Sequence, residues 1–334
     1  MVSLFLASSP MNILKCLVLI NNGGVASYLI IETFDSGATM TESYNRELKE
    51  KIENLNIQNL RGVRIVDSNS ITFLNKIVGK YLIEDIDLHE ISRFYSANVW
   101  TTGISPYTRL ILQTTRFDQN VKFSILEDGT KMYLGDFSSI SKKSIKRIIK
   151  EKFLSDIDIL KSTRVSEWIV ETPENYSFVY RPVNTFSLSN FHSDVQKFSE
   201  IFLSVKDIHQ LKDLAIIKTN KQIIFTQPLF KSGLVESIEV QEKIVNQLLN
   251  KYYVDGSAVY LKVHPADTAT YKNLDVPIKV LGNYPSEILD AFNISFSLSL
   301  GFFSSAVESV NSDIYIYDVT EYNKYSSSYL NLDI

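Results

Sequence analysis

Short apolar runs alternate with longer stretches of helical periodicity along this chain, and that alternation leaves few folds open. Val2–Ala7 reads as a strand and Met11–Ile20 as a buried helix, with the turn Ser8-Ser9-Pro10 between them. Ser27–Phe34 and Gly62–Asp67 are strand candidates on either side of a charged helix at Thr41–Leu55. The pattern continues with a helix at Ser70–Tyr81, a strand at Glu90–Ser96, a short helix at Pro106–Thr115 and a strand at Lys122–Leu126. Repeated strand–helix–strand units predict a parallel sheet covered on both faces. Such sheets bind ligands at the carboxyl ends of their strands, where Ser8, Ser9, Asn98 and the pair Glu127-Asp128 are expected.

A second alternating unit begins near Lys221. Gln222–Thr226 reads as a strand, and Val235–Tyr252 as a helix with Ile244, Val245, Leu248, Leu249 and Tyr252 on one face. Strands are expected at Ser257–Val263, Pro277–Val280, Ile294–Leu300 and Ile314–Asp318, with helices at Pro285–Phe292 and Ser304–Val310. Tyr322–Tyr329 reads as a polar tail. The expected fold is therefore α/β, with two Rossmann-like domains facing a cleft, at residues 1–205 and 206–334.

A length of 334 residues suits two domains of ordinary size. The 45% hydrophobic and 22% charged composition is that of a globular protein rather than a disordered one. A net charge of −4 argues against a general nucleic-acid binder, so no nucleic-acid partner is expected. Cys16 has no second cysteine to pair with, which fits a reducing cytoplasm. The apolar start, Met1–Ile20, is broken by Ser8-Ser9-Pro10 and lacks a basic flank, so it is not read as a signal peptide. Six basic residues between Lys142 and Lys152 share a helical stretch with Ile145, Ile148, Ile149 and Phe153. That stretch is either a solvated helix face or an attraction for anionic lipid or an acidic glycan.

Three short motifs carry the chemistry. Glu127 and Asp128 end a strand before Gly129, and an ionised carboxylate there can take a proton from an attacking hydroxyl. An ordinary acidic turn would look the same. His264 ends another strand, and Pro265 after it removes an amide donor and favours a tight loop. Imidazole titrates near neutrality, which suits contact with a departing phosphate oxygen. Ser304 and Ser305 are expected to open a helix, either as a plain N-cap or as an anion site of amides and hydroxyls. Glu287, early in the preceding helix, can reach ribose hydroxyls. No metal-ligand cluster is evident, and Gly23-Gly24 follows a helix as its stop rather than forming a dinucleotide loop.

In order and strand context, these motifs resemble those of bacterial sialyltransferases. The surroundings are most similar to glycosyltransferase family 52, the lipooligosaccharide and capsule sialyltransferases. The resemblance rests on Glu127-Asp128-Gly129-Thr130, His264-Pro265 and Phe302-Phe303-Ser304-Ser305-Ala306, with the opening strand, serine loop and helix of residues 2–20. It implies a glycosyltransferase-B architecture and inverting, metal-independent transfer of sialic acid from CMP-sialic acid to a galactose-terminated glycan. By carry-over, Asp128 or Glu127 is the base, with Asp128 favoured, and His264 meets the leaving phosphate. Ser304, Ser305, Glu287, Pro265 and Lys262 become donor-binding candidates, and Ser8, Ser9 and Asn98 acceptor-side candidates. No cofactor is expected beyond the CMP-sialic acid substrate. Peripheral membrane contact and a homodimer both remain open. The alternatives are a polysialyltransferase, a transferase of the same architecture using another sugar nucleotide, and a glycan-binding protein without activity.

Overall fold

The computed structural model describes residues 1–33, 42–67, 97–101, 108, 111, 120–127, 165–171, 173, 183–302 and 304–325. Among these the chain forms two compact units, the first ending at Phe191 and the second beginning at His192.

In the first unit, β1 (Val2–Ala7), β2 (Ser27–Thr33), β3 (Leu60–Asp67) and β4 (Ala97–Thr101) are followed by β5 (Val121–Leu126), β6 (Val165–Val170) and β7 (Val183–Thr185). They form one sheet in the order β3-β2-β1-β4-β5-β6-β7, and every pairing is parallel. Helix α1 (Pro10–Asn22) follows β1 because Ser9 caps it, its hydroxyl accepting the Asn12 N–H at 3.2 Å. Pro10 sits in the first turn, where no amide partner is needed. The helix stops where the Gly23 N–H bonds the Ile20 carbonyl and Gly24 takes a positive φ of 66°. Ile13, Leu14 and Leu17 are completely buried, each contributing roughly 1.5–3 kcal/mol relative to exposure. Cys16 lies beside them, and burial pushes its thiol far above the ordinary range, so it is an inert core residue. The charged α2 (Glu42–Asn54) follows β2.

The second unit opens with α3 (His192–Ser199) and α4 (Val205–Ile216). Its sheet contains β8 (Lys221–Phe225), β9 (Ala258–Lys262), β10 (Ile278–Val280), β12 (Leu298–Gly301) and β14 (Tyr315–Tyr317). The order is β10-β9-β8-β12-β14, again wholly parallel. Helix α5 (Ile238–Tyr252) lays Ile244, Val245, Leu248 and Leu249 against Ile224, Val259, Leu261 and Leu300 to form the core. A short α6 (Glu287–Ala291) precedes β12, and α7 (Thr320–Asn323) follows β14. Both units are thus Rossmann-like α/β layers.

Several expectations change. The run 294–300 is not one strand: β11 (Ser295–Phe296) pairs with β13 (Asn311–Ser312), while β12 joins the main sheet. The break is at Ser297, whose amide and hydroxyl both donate to the Lys221 carbonyl. Tyr322 is not in a polar tail but is 2% exposed within α7. The unit division falls ahead of residue 205 because α3 packs on α6 of the second unit. β6, β7, α3 and α4 have no counterpart in the sequence reading. The expected elements at 70–81 and 90–96 and the basic stretch at 142–152 lie outside the described residues. Among the described residues no helix is long and apolar enough to cross a membrane.

Candidate functional site

Parallel order places every strand's carboxyl end on one edge of its sheet, and ligands favour the point where strand order reverses. In the second unit that point lies between β8 and β12. The residues that follow there are Thr226 after β8, His264 after neighbouring β9, and Ser304 after β12.

His264 is half-buried and tied on three sides. Its amide donates to the Thr226 hydroxyl at 3.1 Å, its carbonyl accepts the Asp267 N–H at 2.8 Å, and its Nδ1 accepts the Ala266 N–H at 3.1 Å. A backbone amide can only donate, so Nδ1 is bare and the neutral ring carries its proton on Nε2. Burial pushes the imidazole below its ordinary range; Asp267 opposes this, and Lys262 and Lys231 add to it. At neutral pH His264 is therefore an N–H donor rather than an imidazolium acid. Pro265 is exposed at the turn.

Lys262 ends β9 and is engaged within the fold. It is 6% exposed, its ammonium bonds the Gly282 carbonyl at 2.5 Å, and it sits 4.3 Å from the centre of the Tyr284 ring. Burial brings its pKa down to about 7, with Glu287 and Asp207 pulling the other way. Glu287 lies in the first turn of α6, half-buried, and accepts from the Ser286 hydroxyl at 3.3 Å.

The serine motif differs from the expected helix opening. Ser305–Val307 is one turn of 3₁₀ helix, too short to build a helix dipole. The 8%-exposed Ser304 hydroxyl accepts the Ala306 N–H at 3.3 Å. What remains for an anion is hydroxyls and loop amides. Gly301, at the end of β12, is closely packed: a Cβ there would lie 2.7 Å from Val307 Cγ2, so a neighbour would have to shift to admit it.

In the first unit, Glu127 follows β5, 6% exposed. Its Oε2 accepts the Glu171 N–H at 2.5 Å, and its carbonyl accepts from the buried Lys15 Nζ at 3.4 Å. Asp128 lies outside the described residues. Ser8 and Ser9 do follow β1, at the reversal point between β1 and β4, with Ser9 engaged as the α1 cap. Asn98 does not join them. It lies near the amino end of β4, in register with Ser3, and its amide donates to Ser124. Ser124 in turn donates to Glu167, so Asn98 belongs to a polar chain across the sheet.

Sequence reasoning missed the groups that hold His264. Asp267 accepts from Thr226 Oγ1 at 2.8 Å and Tyr271 OH at 2.6 Å on one oxygen. Its other oxygen accepts Gln241 Nε2 at 2.7 Å and the Ala269 N–H at 2.9 Å. The one available signal was Asp267 itself, standing just beyond His-Pro-Ala.

The comparisons fit this layout. The chain is similar in fold to the UDP-GlcNAc 2-epimerase from Neisseria meningitidis bound to UDP-GlcNAc. The TM-score is 0.50 and the identity 12%, over 92% of this chain and 79% of that one. It also matches a Haemophilus influenzae protein described as uncharacterized, 27% identical over 195 residues. That match spans 57% of this chain and only 60% of the relative's length. A family model for glycosyltransferase family 52 matches residues 38–320. With the second unit's sheet and the His264 and Ser304 loops inside that match, the chain belongs to glycosyltransferase family 52.

Proposed function

We propose that this protein is a glycosyltransferase that moves sialic acid from CMP-sialic acid to a terminal galactose of a surface glycan, with inversion and without a divalent metal. The second unit takes the CMP donor and the first unit the acceptor. The observation that carries the reading is His264: a neutral imidazole with a defined Nε2–H, at a strand end next to the reversal point. That donor suits a phosphate monoester leaving group. A phosphate with a second pKa near 6 departs from the anomeric carbon without a full proton and needs only a hydrogen bond.

In this mechanism Asp128 takes the proton from the acceptor hydroxyl, because the Glu127 carboxylate already holds the Glu171 amide. The acceptor oxygen bonds the anomeric carbon as the bond to the phosphate oxygen breaks, and CMP leaves with the electron pair. Ser304 and Ser305 hydrogen-bond the phosphate, and Glu287 the ribose. Ser8 and Ser9 line the acceptor side.

Incubation with CMP-sialic acid and a panel of galactosides, followed by mass spectrometry, tests it. A product heavier by one sialyl residue is expected. CMP release without such a product, or turnover only with a diphosphate sugar, removes the reading.

A further inference from the structure

A proton on one chosen ring nitrogen is useful only if the ring cannot turn, so the groups that grip His264 bear on the chemistry. The Thr226 hydroxyl accepts the His264 amide and spends its own proton on Asp267 Oδ2. Asp267 is then filled by Tyr271 OH, Gln241 Nε2 and the Ala269 N–H. Gln241 is 1% exposed, and its amide oxygen is taken by the Phe230 N–H at 2.9 Å. The loop from His264 to Asp267 is thereby fastened to the end of β8 and to α5 by a connected set of buried or half-buried hydrogen bonds.

We propose that Thr226 and Asp267 are positioning residues for His264, a polar clamp that keeps Nδ1 against the Ala266 amide and leaves Nε2 as the proton carrier. The clamp rests on the reading of His264 as the group that meets the leaving phosphate. A loop that merely needed to fold would be served by any satisfied set of polar groups. This set closes on the histidine's own amide and carbonyl, and Asp267 is also the anion beside the ring. The charges that bear on the imidazole are Asp267 from its own loop, Lys262 from β9 and Lys231 from the segment after β8. Of these, Asp267 alone favours the protonated ring.

The test uses the full chain, labelled with nitrogen-15, and long-range imidazole spectra in which His264 is identified by its loss in His264→Gln. Wild type is expected to show the Nε2–H tautomer. Thr226→Val removes the hydroxyl at nearly constant shape and is expected to mix the tautomers. It should lower kcat for sialyl transfer on the order of 100-fold, with donor KM changed by less than about threefold, as a misplaced group would. Thr226→Ser, which keeps the hydroxyl, should recover most of that rate. Asp267→Asn should move the His264 titration midpoint lower, because the anion that favours imidazolium is gone. A folded Thr226→Val protein with the wild-type tautomer and kcat within about twofold overturns the clamp. If that variant does not fold, a folded Asp267→Asn protein with the wild-type tautomer and kcat within about twofold overturns it instead. The spectra need no turnover, so a wild-type chain inert toward CMP-sialic acid would remove the sialyl reading while the clamp is still judged.

Discussion

The Glu127 carboxylate accepts the backbone N–H of Glu171 at 2.5 Å, linking the end of β5 to the end of β6. Glu127 also receives that neighbouring strand through its own amide, which donates to the Ile169 carbonyl at 2.9 Å. A carboxylate used in this way holds two strand ends together. In the proposed mechanism Glu127 is then the structural acid of the motif and Asp128 the base.

Their variants should separate likewise. Asp128→Asn is expected to lower transfer on the order of 10²–10⁴-fold with the melting temperature unchanged. Glu127→Ala should instead cost roughly 1.5–3 kcal/mol of stability, the range for a hydrogen bond to a charged group. Glu127→Gln, which keeps an acceptor oxygen, should retain turnover. Rates and thermal melts of the three proteins decide it, and loss of turnover in a fully stable Glu127→Gln protein would return the base to Glu127.

Replacing Ser304 and Ser305 together by Ala should weaken CMP binding by about 1–3 kcal/mol. With only a single 3₁₀ turn behind them, little helix-end charge is left to compensate. Calorimetry with CMP measures the loss, and an unchanged affinity would move the phosphate site elsewhere.

Lys262 makes the second unit's stability depend on pH in a defined direction. Its ammonium is depressed to about 7 when folded, while an exposed lysine titrates near 10.4. Between those values the unfolded chain binds the proton and the folded chain does not, so wild-type stability should gain as pH rises from 7 to 10. Measured against Lys262→Met, the melting temperature of wild type should climb over that window, with each kcal/mol worth about 2–4 °C. A difference flat in pH would mean that the ammonium stays charged in place.

Gly301→Ala should destabilise by about 1–3 kcal/mol through overpacking against Val307. Trimming the obstacle in Gly301→Ala/Val307→Ala should restore part of that loss in denaturant melts. No restoration would point to the Phe225 carbonyl, 3.4 Å from the added carbon, as the hard contact.

Transfer should survive excess EDTA within a few-fold, because one phosphate met by an imidazole N–H and serine hydroxyls has less need of a bridging cation. Abolition by EDTA with recovery on Mg²⁺ or Mn²⁺ would favour a diphosphate-sugar donor.

The sequence was most legible where one pattern dictated one partner. β1, α1 and α5 stand almost where apolar spacing put them, because each buries one continuous face. β11 and β12 were read as one strand because periodicity records which residues are apolar, not that Ser297 marks a change of pairing partner. Helix α4 was missed although Ser204 and Asp207 form a capping box, since Leu211 and Leu214 are its fully buried residues and give a faint stripe. Asn98 was misplaced because Ala97–Thr101, read as following a strand, is itself a strand in register with the start of β1. His264 and Ser304 were legible as strand-end residues, but the bonds among Thr226, Gln241 and Asp267 join distant stretches and leave no local pattern.

The fastening of His264 to the end of β8 has a kinetic side. Its amide and those of Ala266 and Asp267 are all hydrogen-bonded within the fold, so they should exchange with solvent as slowly as sheet amides rather than at loop rates. A histidine that shares the lifetime of the sheet is already ordered before a nucleotide arrives. In the proposed function donor binding then loses little conformational entropy at this loop, and whatever ordering the reaction requires falls on other segments of the chain.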